Sequence, residues 1–282
     1  MPLAELPTPL GYGQLRVRGD QHVRISIKRD DLSGALYGGN KVRKLEYLLQ
    51  RARERGATRI ATFGAVASNH ALATTLYASR NGFQCICFLG HQVKTPQAAL
   101  ALNVHLQHGT DVVRFGGTRR KRVEILRQHL RQRETWVIPA GGSCWLGAIG
   151  FVNAGLELGA QLSASGAAVP DRLYVANGTM ATAAGLTLGL ALARLYTEVH
   201  AVRVTDRRFA DSERMRRLIC KTANMMHALD ATVPEDLAAR TRLRFRNEFY
   251  GGGYAHTNAA TDAAVAAARD QLGLALEERA ER

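Results

Sequence analysis

Lys28-Arg29-Asp30-Asp31-Leu32-Ser33-Gly34-Ala35-Leu36-Tyr37-Gly38-Gly39-Asn40-Lys41-Val42-Arg43-Lys44-Leu45-Glu46 begins strand-like, passes through a glycine-rich turn and delivers a lysine to the mouth of a helix. Val42, Leu45, Leu49 and Ala52 recur at helical spacing, while Arg43, Lys44, Glu46 and Gln50 take the other faces. Gly38 and Gly39 break the chain just before this pattern, and Asn40 reads as the N-cap. Lys41 then sits in the first turn, above the positive end of the helix dipole and beside Arg43 and Lys44. Such surroundings favour a neutral amine, the form that attacks a carbonyl. Read alone, the same residues describe an ordinary basic first turn.

Outward from this stretch, strand and helix patterns alternate. Arg59 to Phe63, Cys85 to Leu89, Asp111 to Phe115 and Thr135 to Ile138 read as strands, separated by helical patterns at Ala71 to Ser79, Gln97 to Leu106 and the basic segment after Thr118. That order implies a parallel sheet with helices on its faces, and ligands of such sheets bind beyond the carboxyl ends of the strands. Lys41, Ser68-Asn69-His70 and Pro139-Ala140-Gly141-Gly142-Ser143 fall at that edge. A helix from Leu146 to about Leu158 opens the second half, then strand Arg172 to Ala176, an apolar helix, and strand Val199 to Val204. Residues Asp206 to Ala239 read as charged and helical, and one more helix follows Tyr250-Gly251-Gly252-Gly253-Tyr254.

The chain has 282 residues, 46% of them hydrophobic, and 38 Lys and Arg against 24 Asp and Glu, a net charge of +14. That excess invites a nucleic-acid reading, with Arg119-Arg120-Lys121-Arg122 as its best support. Val123, Leu126 and Leu130 run through the segment at helical spacing with Thr118 as cap, so it reads as an amphipathic helix with a solvated arginine face, and no nucleic-acid partner is expected. Cys85 and Cys87 alternate in an apolar strand, Cys144 lies in a glycine-rich turn, and no cysteine pair has metal-ligand spacing. No apolar run is long enough to span a bilayer, and Met1-Pro2-Leu3-Ala4-Glu5 lacks a signal-like pattern. The expectation is a cytoplasmic protein without membrane contact.

Gly178-Thr179 links a strand to a helix, as a phosphate cradle or as a simple tight turn; it matches neither a Walker loop nor a dinucleotide fingerprint. Ser68-Asn69-His70 offers a helix cap or ligand-binding groups, and Tyr254 follows three glycines. An activated lysine, a cradle and polar turns at one sheet edge together suit an aldehyde cofactor carrying a phosphate, and pyridoxal phosphate fits.

The stretch from Lys28 through Gly38-Gly39-Asn40-Lys41-Val42-Arg43-Lys44-Leu45-Glu46-Tyr47-Leu48 closely resembles the signature of the D-cysteine desulfhydrase and 1-aminocyclopropane-1-carboxylate deaminase family, and the resemblance runs with gaps to about Thr257. It implies an α/β fold of the tryptophan-synthase-β type: a large cofactor-binding domain from residues 1–55 and 155–282, and a small inserted α/β domain from 56–154. Pyridoxal 5'-phosphate would lie in the cleft between two open twisted parallel sheets. Lys41 would hold the cofactor covalently and move the Cα proton; Ser68 would lie near the substrate carboxylate and Asn69 beside the cofactor's ring oxygen. Ser68, Asn69 and His70 together would bind the substrate; His70 occupies a position that is typically glutamine in the deaminases and often histidine in the desulfhydrases, which tilts the reading toward the desulfhydrases. Gly178, Thr179, Met180, Ala181 and Thr182 would form the phosphate loop, with Ala181 where the family usually has glycine, and Tyr254 would face the substrate.

The implied function is a lyase or deaminase acting on a small amino acid, D-cysteine first, 1-aminocyclopropane-1-carboxylate as the alternative, in a homodimer. Members of the family continue past this sequence's last residues, and on a gap-free count from Tyr254 a second active-site tyrosine is replaced by Ala280. A cofactor-binding, catalytically impaired homologue is therefore a further alternative.

Overall fold

The computed structural model describes residues 1–92, 94–131, 134–251 and 258–276. The chain opens with an antiparallel hairpin, β1 (Leu10–Arg18) and β2 (Gln21–Lys28), turning at Gly19. The sequence reading saw only the end of β2. The rest is legible as alternation of Leu15 and Val17, then Val23, Ile25 and Ile27, but the interleaved arginines and His22 hid it.

A four-stranded parallel sheet follows in the order β5-β4-β3-β6, built from β3 (Arg59–Ala65), β4 (Gln84–Gly90), β5 (Asp111–Arg114) and β6 (Thr135–Val137). Its crossovers are α2 (Asn69–Arg80), α3 (Pro96–Gln107) and α4 (Arg119–His129). The Thr118 side chain caps α4, as expected, and none of that helix's residues is fully buried. A second parallel sheet, β7-β8-β9, consists of β7 (Arg172–Asn177), β8 (Glu198–Arg203) and β9 (Leu243–Arg246). Among the described residues the outer edge of β7 pairs with no strand. The segment 206–239 is helical only in α7 (Ser212–Leu229) and one short 3-10 turn, after which β9 returns to the sheet. Arg244 and Arg246 hid that strand, because they sit on its polar face.

The core of the second sheet is the contact of α5 (Trp145–Ser165) with α6 (Ala181–Leu192). Both helices are rich in small residues, so their backbones approach closely. A Cβ on Gly189 would lie 2.2 Å from the Val152 carbonyl oxygen and 3.0 Å from the Gly155 Cα. Gly189→Ala is therefore expected to cost about 1–3 kcal/mol by forcing the helices apart, read as a lower urea midpoint at unchanged slope.

Helix α1 (Val42–Glu54) buries Val42, Leu45, Leu48, Leu49 and Ala52, as its spacing predicts. It also buries Arg43 and Lys44, at 0% and 1% exposure, which the sequence reading placed on outer faces. Arg43 is taken up by acids from two distant segments. Its guanidinium donates to Asp30 (2.8 Å) and to Glu157 of α5 (2.9 Å), with Thr8 Oγ1 at 3.0 Å, and Lys28 completes the network on Glu157. Charges that appear stranded on a helical wheel are paired by the fold.

Candidate functional site

The carboxyl ends of the two sheets face one cleft of about 3030 Å³, lined by Lys41, Ser68, Asn69, His70, Gly178, Thr179, Met180 and Thr182 among others. The structure thus brings the sequence-predicted residues together, except Ala181, which lies fully buried beneath the loop, and Tyr254, which lies outside the described residues. Ligand pockets commonly occupy roughly 300–1,000 Å³. This cleft is larger because it continues along β2 and the open edge of β7.

Lys41, not Asn40, is the N-cap residue of α1, and the helix has no side-chain cap. Asn40 instead spans the cleft. Its Nδ2 donates to Thr182 Oγ1 at the start of α6 (3.0 Å), and its Oδ1 accepts from Lys41 Nζ (2.6 Å). An amide has both a donor and an acceptor to spend, and here each is spent on aligning the lysine with the loop after β7. Three residues on, Lys44 Nζ donates to the Gly141 carbonyl (3.2 Å) in an enclosed space. Burial, and then the charge of Lys41, push the Lys44 amine well below the ordinary lysine range.

On the first sheet, Ser68 caps α2 by accepting from the Ala71 N–H (3.3 Å), so the expected cap is present, and Asn69 is the helix's first residue. His70 is 2% exposed, with Nε2 3.0 Å from Thr62 Oγ1. The Thr62 hydroxyl donates to the Ile138 carbonyl (3.2 Å), which assigns the imidazole hydrogen to Nε2. Nδ1 is then a buried acceptor without a hydrogen-bond partner. Burial, with the charges of Lys41 and Lys44, lowers the His70 pKa well below the usual histidine value, so the ring stays neutral.

The loop after β7 is more constrained than its sequence suggests. Met180 adopts φ 78°, ψ −33°, in the left-handed half of backbone space, and the Ala181 N–H turns back onto the Thr179 carbonyl (3.1 Å). Ser143 donates to that same carbonyl, and Thr205 Oγ1 donates to the Gly178 carbonyl (2.7 Å). An L-residue in this conformation costs about 1–3 kcal/mol, sustained by these bonds and by the Met180 side chain packing on the second-sheet core. A sequence without neighbours in space could not show this. Ala181, which stands where the family usually has glycine, is buried at 0% exposure as the first residue of α6.

These groups fit pyridoxal phosphate. The N-terminus of α6 carries no side-chain cap, leaving backbone donors for an anion. Lys44 is a buried amine that a phosphate dianion would recharge, and Lys41 presents a primary amine to an aldehyde. Among the described residues no group of three or more His, Cys, Asp or Glu could hold a metal, and no helix is long and apolar enough to cross a membrane.

Comparison with known proteins agrees. The chain is 37% identical over 207 residues to a Thermotoga maritima protein carrying the provisional name 1-aminocyclopropane-1-carboxylate deaminase, covering 71% of this chain and 64% of that one. It is 35% identical over 198 residues to the D-cysteine desulfhydrase of Yersinia pestis, covering 67% and 59% respectively. It therefore spans about three-fifths of the length of these curated relatives. A solved structure described as an ACC deaminase homologue superposes with a TM-score of 0.74 at 26% identity, covering 98% of this chain and 82% of that chain. The fold is that of the tryptophan-synthase-β type, as the sequence resemblance implied. A family model described as pyridoxal-phosphate dependent enzyme matches residues 1–278, and with the lysine, the uncapped α6 and the buried second amine meeting in one cleft, the chain belongs to that family.

Proposed function

We propose that this protein is a pyridoxal-phosphate-dependent lyase that cleaves a small D-amino acid, D-cysteine first, into pyruvate, sulfide and ammonia. The observation that carries the reading is the Lys41–Asn40–Thr182 bridge, which sets a primary amine against the uncapped start of α6. Similarity to a D-cysteine desulfhydrase supports the substrate. The cofactor, when bound, supplies an aldehyde for covalent attachment and an electron sink for charge at the substrate Cα.

In this reading the chain's own residues divide the work. Gly178, Thr179, Met180, Ala181 and Thr182, with Lys44, hold the phosphate. Lys41 would hold the cofactor through its Nζ and, once the substrate's amino group has displaced it, the freed Nζ would take the Cα proton. The Ser68 hydroxyl orients the substrate carboxylate, Asn69 the ring oxygen, and neutral His70 stiffens the turn that presents both. Tyr254, facing the substrate, enters on the family resemblance alone. The residues 1–55 and 155–282 act as the cofactor-binding domain and 56–154 as the small domain, in a cytoplasmic homodimer.

The test is an absorbance spectrum of purified protein given pyridoxal phosphate, before and after D-cysteine, with pyruvate assayed. A visible-violet band that changes with D-cysteine and yields pyruvate is expected. A band without pyruvate sinks the desulfhydrase reading: turnover of 1-aminocyclopropane-1-carboxylate would then place the protein with the deaminases, and no turnover with the impaired homologues.

A further inference from the structure

Strand β8 is the middle strand of its sheet, between β7 and β9. Val199 and Ala201 occupy its buried face, and Arg203 is the next residue on that face, only 8% exposed. A guanidinium in that position costs free energy unless its donors are met. They are met on two sides. Nε donates to Asn247 Oδ1 just beyond β9 (2.7 Å), and Nη1 donates to the Thr205 carbonyl (2.9 Å). The guanidinium carbon lies 4.0 Å from the centre of the Tyr250 ring.

These contacts reach the site. Thr205, also buried, donates its hydroxyl to the carbonyl of Gly178, the first residue of the loop after β7 (2.7 Å). On the other side, Tyr250 donates its hydroxyl to Asp206 (3.2 Å) and its N–H to the Asn247 carbonyl (3.2 Å), which closes the turn after β9 onto β8. Gly178, Arg203, Thr205, Asp206 and Tyr250 all line the cleft. One side chain at the end of the middle strand is thus bonded, directly or through one residue, to the turns that end both neighbouring strands. Only arginine carries donors on separate atoms of one rigid fork, whereas a lysine has a single nitrogen. The loop after β7 needs such support, because Met180 within it stands at positive φ and α6 has no side-chain cap. A backbone in that conformation persists only where its surroundings hold it.

We propose that Arg203 is a positioning residue for the cofactor's phosphate. Acting through Thr205 on Gly178, and braced by Asn247 and Tyr250, it holds the loop after β7 in the shape that receives the phosphate. Its loss therefore weakens phosphate-bearing ligands and spares the rest of the cofactor. This rests on the reading of Gly178 to Thr182 as the phosphate loop.

The test compares absorbance titrations with pyridoxal 5'-phosphate and with pyridoxal, which offers the same aldehyde to Lys41 and no phosphate. Wild type is expected to prefer the phosphate ester by at least about 10²-fold; equal affinity overturns the phosphate-loop reading and the proposal together. Arg203→Met and Thr205→Val are each expected to cut that preference by about fivefold, with pyridoxal binding kept within about twofold. The double variant should lose about fivefold as well, because both residues act along one relay, and losses that multiply would count against it. Arg203→Lys keeps the charge without the fork and should resemble Arg203→Met. A lysine variant with wild-type preference would assign the effect to charge alone and overturn the proposal while leaving the phosphate-loop reading intact. An unchanged preference in Thr205→Val does the same, and that variant, which keeps side-chain volume, decides the matter if Arg203→Met does not fold. Equal losses for both ligands mark a merely structural arginine and also overturn it.

Discussion

Lys41→Ala is expected to lose the visible-violet band of the lysine-bound cofactor outright and to lower pyruvate release from D-cysteine by at least about 10²–10⁴-fold, the range set by losing a positioned proton-transfer group. The effect is chemical and not structural. Lys41 makes no side-chain cap on α1, and its Nζ donates to Asn40, so stability should change by about 1 kcal/mol or less. The informative control lies three residues along the chain. Lys44→Met removes the other primary amine of the cleft, buried against the Gly141 carbonyl, and is expected to keep the band at saturating cofactor. Survival of the band in Lys41→Ala, or its loss in Lys44→Met, would move the attachment point to the wrong amine. Both outcomes are read from one spectrum per variant.

Arg43→Met carries the largest expected cost to folding, about 3–5 kcal/mol, because it leaves two carboxylates without their shared cation. The guanidinium is 1% exposed, and its partners Asp30 and Glu157 are 20% and 13% exposed, so water cannot replace it cheaply. Thermal unfolding of the two proteins measures the difference, and a loss under about 1 kcal/mol would mean that the network is relaxed in solution.

The same network dictates a pH response. Burial alone would raise the Glu157 pKa, but the hydrogen bonds from Arg43 and Lys28 outweigh it and hold the carboxyl below the ordinary glutamate range. A depressed folded pKa contributes stability that is fully present above the unfolded value, about 4.3, and is lost as pH falls through the lower folded value. Acid should therefore narrow the gap between wild type and Arg43→Met. Arg43 itself is raised further above its usual value, despite its burial, by those same acids, so it stays charged throughout.

Much of the site was legible because its parts are local. A strand, a glycine turn and a helix start are written in consecutive residues, so Lys41, the Ser68 cap and the loop after Asn177 could each be placed on an element from spacing alone. The first parallel sheet followed from alternation of strand and helix, and the second from the family resemblance. The elements that escaped, β9 and most of the β1–β2 hairpin, are those whose apolar period is interrupted by arginine.

What the sequence by itself determined is therefore the place of Lys41 at the mouth of a helix, the order of most elements and the edge at which they meet, since backbone preference and apolar periodicity act over a few residues. The tertiary structure alone decided which polar groups are partners. Asn40 gave up its cap to bridge Lys41 to Thr182, 142 positions away, and Arg43 and Lys44 left the surface for a distant glutamate and a distant carbonyl. Buried polar groups must be paired wherever the chain happens to bring a partner, and that accounting closes only in three dimensions. The lysine that decided the fold's reading is thus fixed by its neighbours in sequence, and aimed by residues that are neighbours only in space.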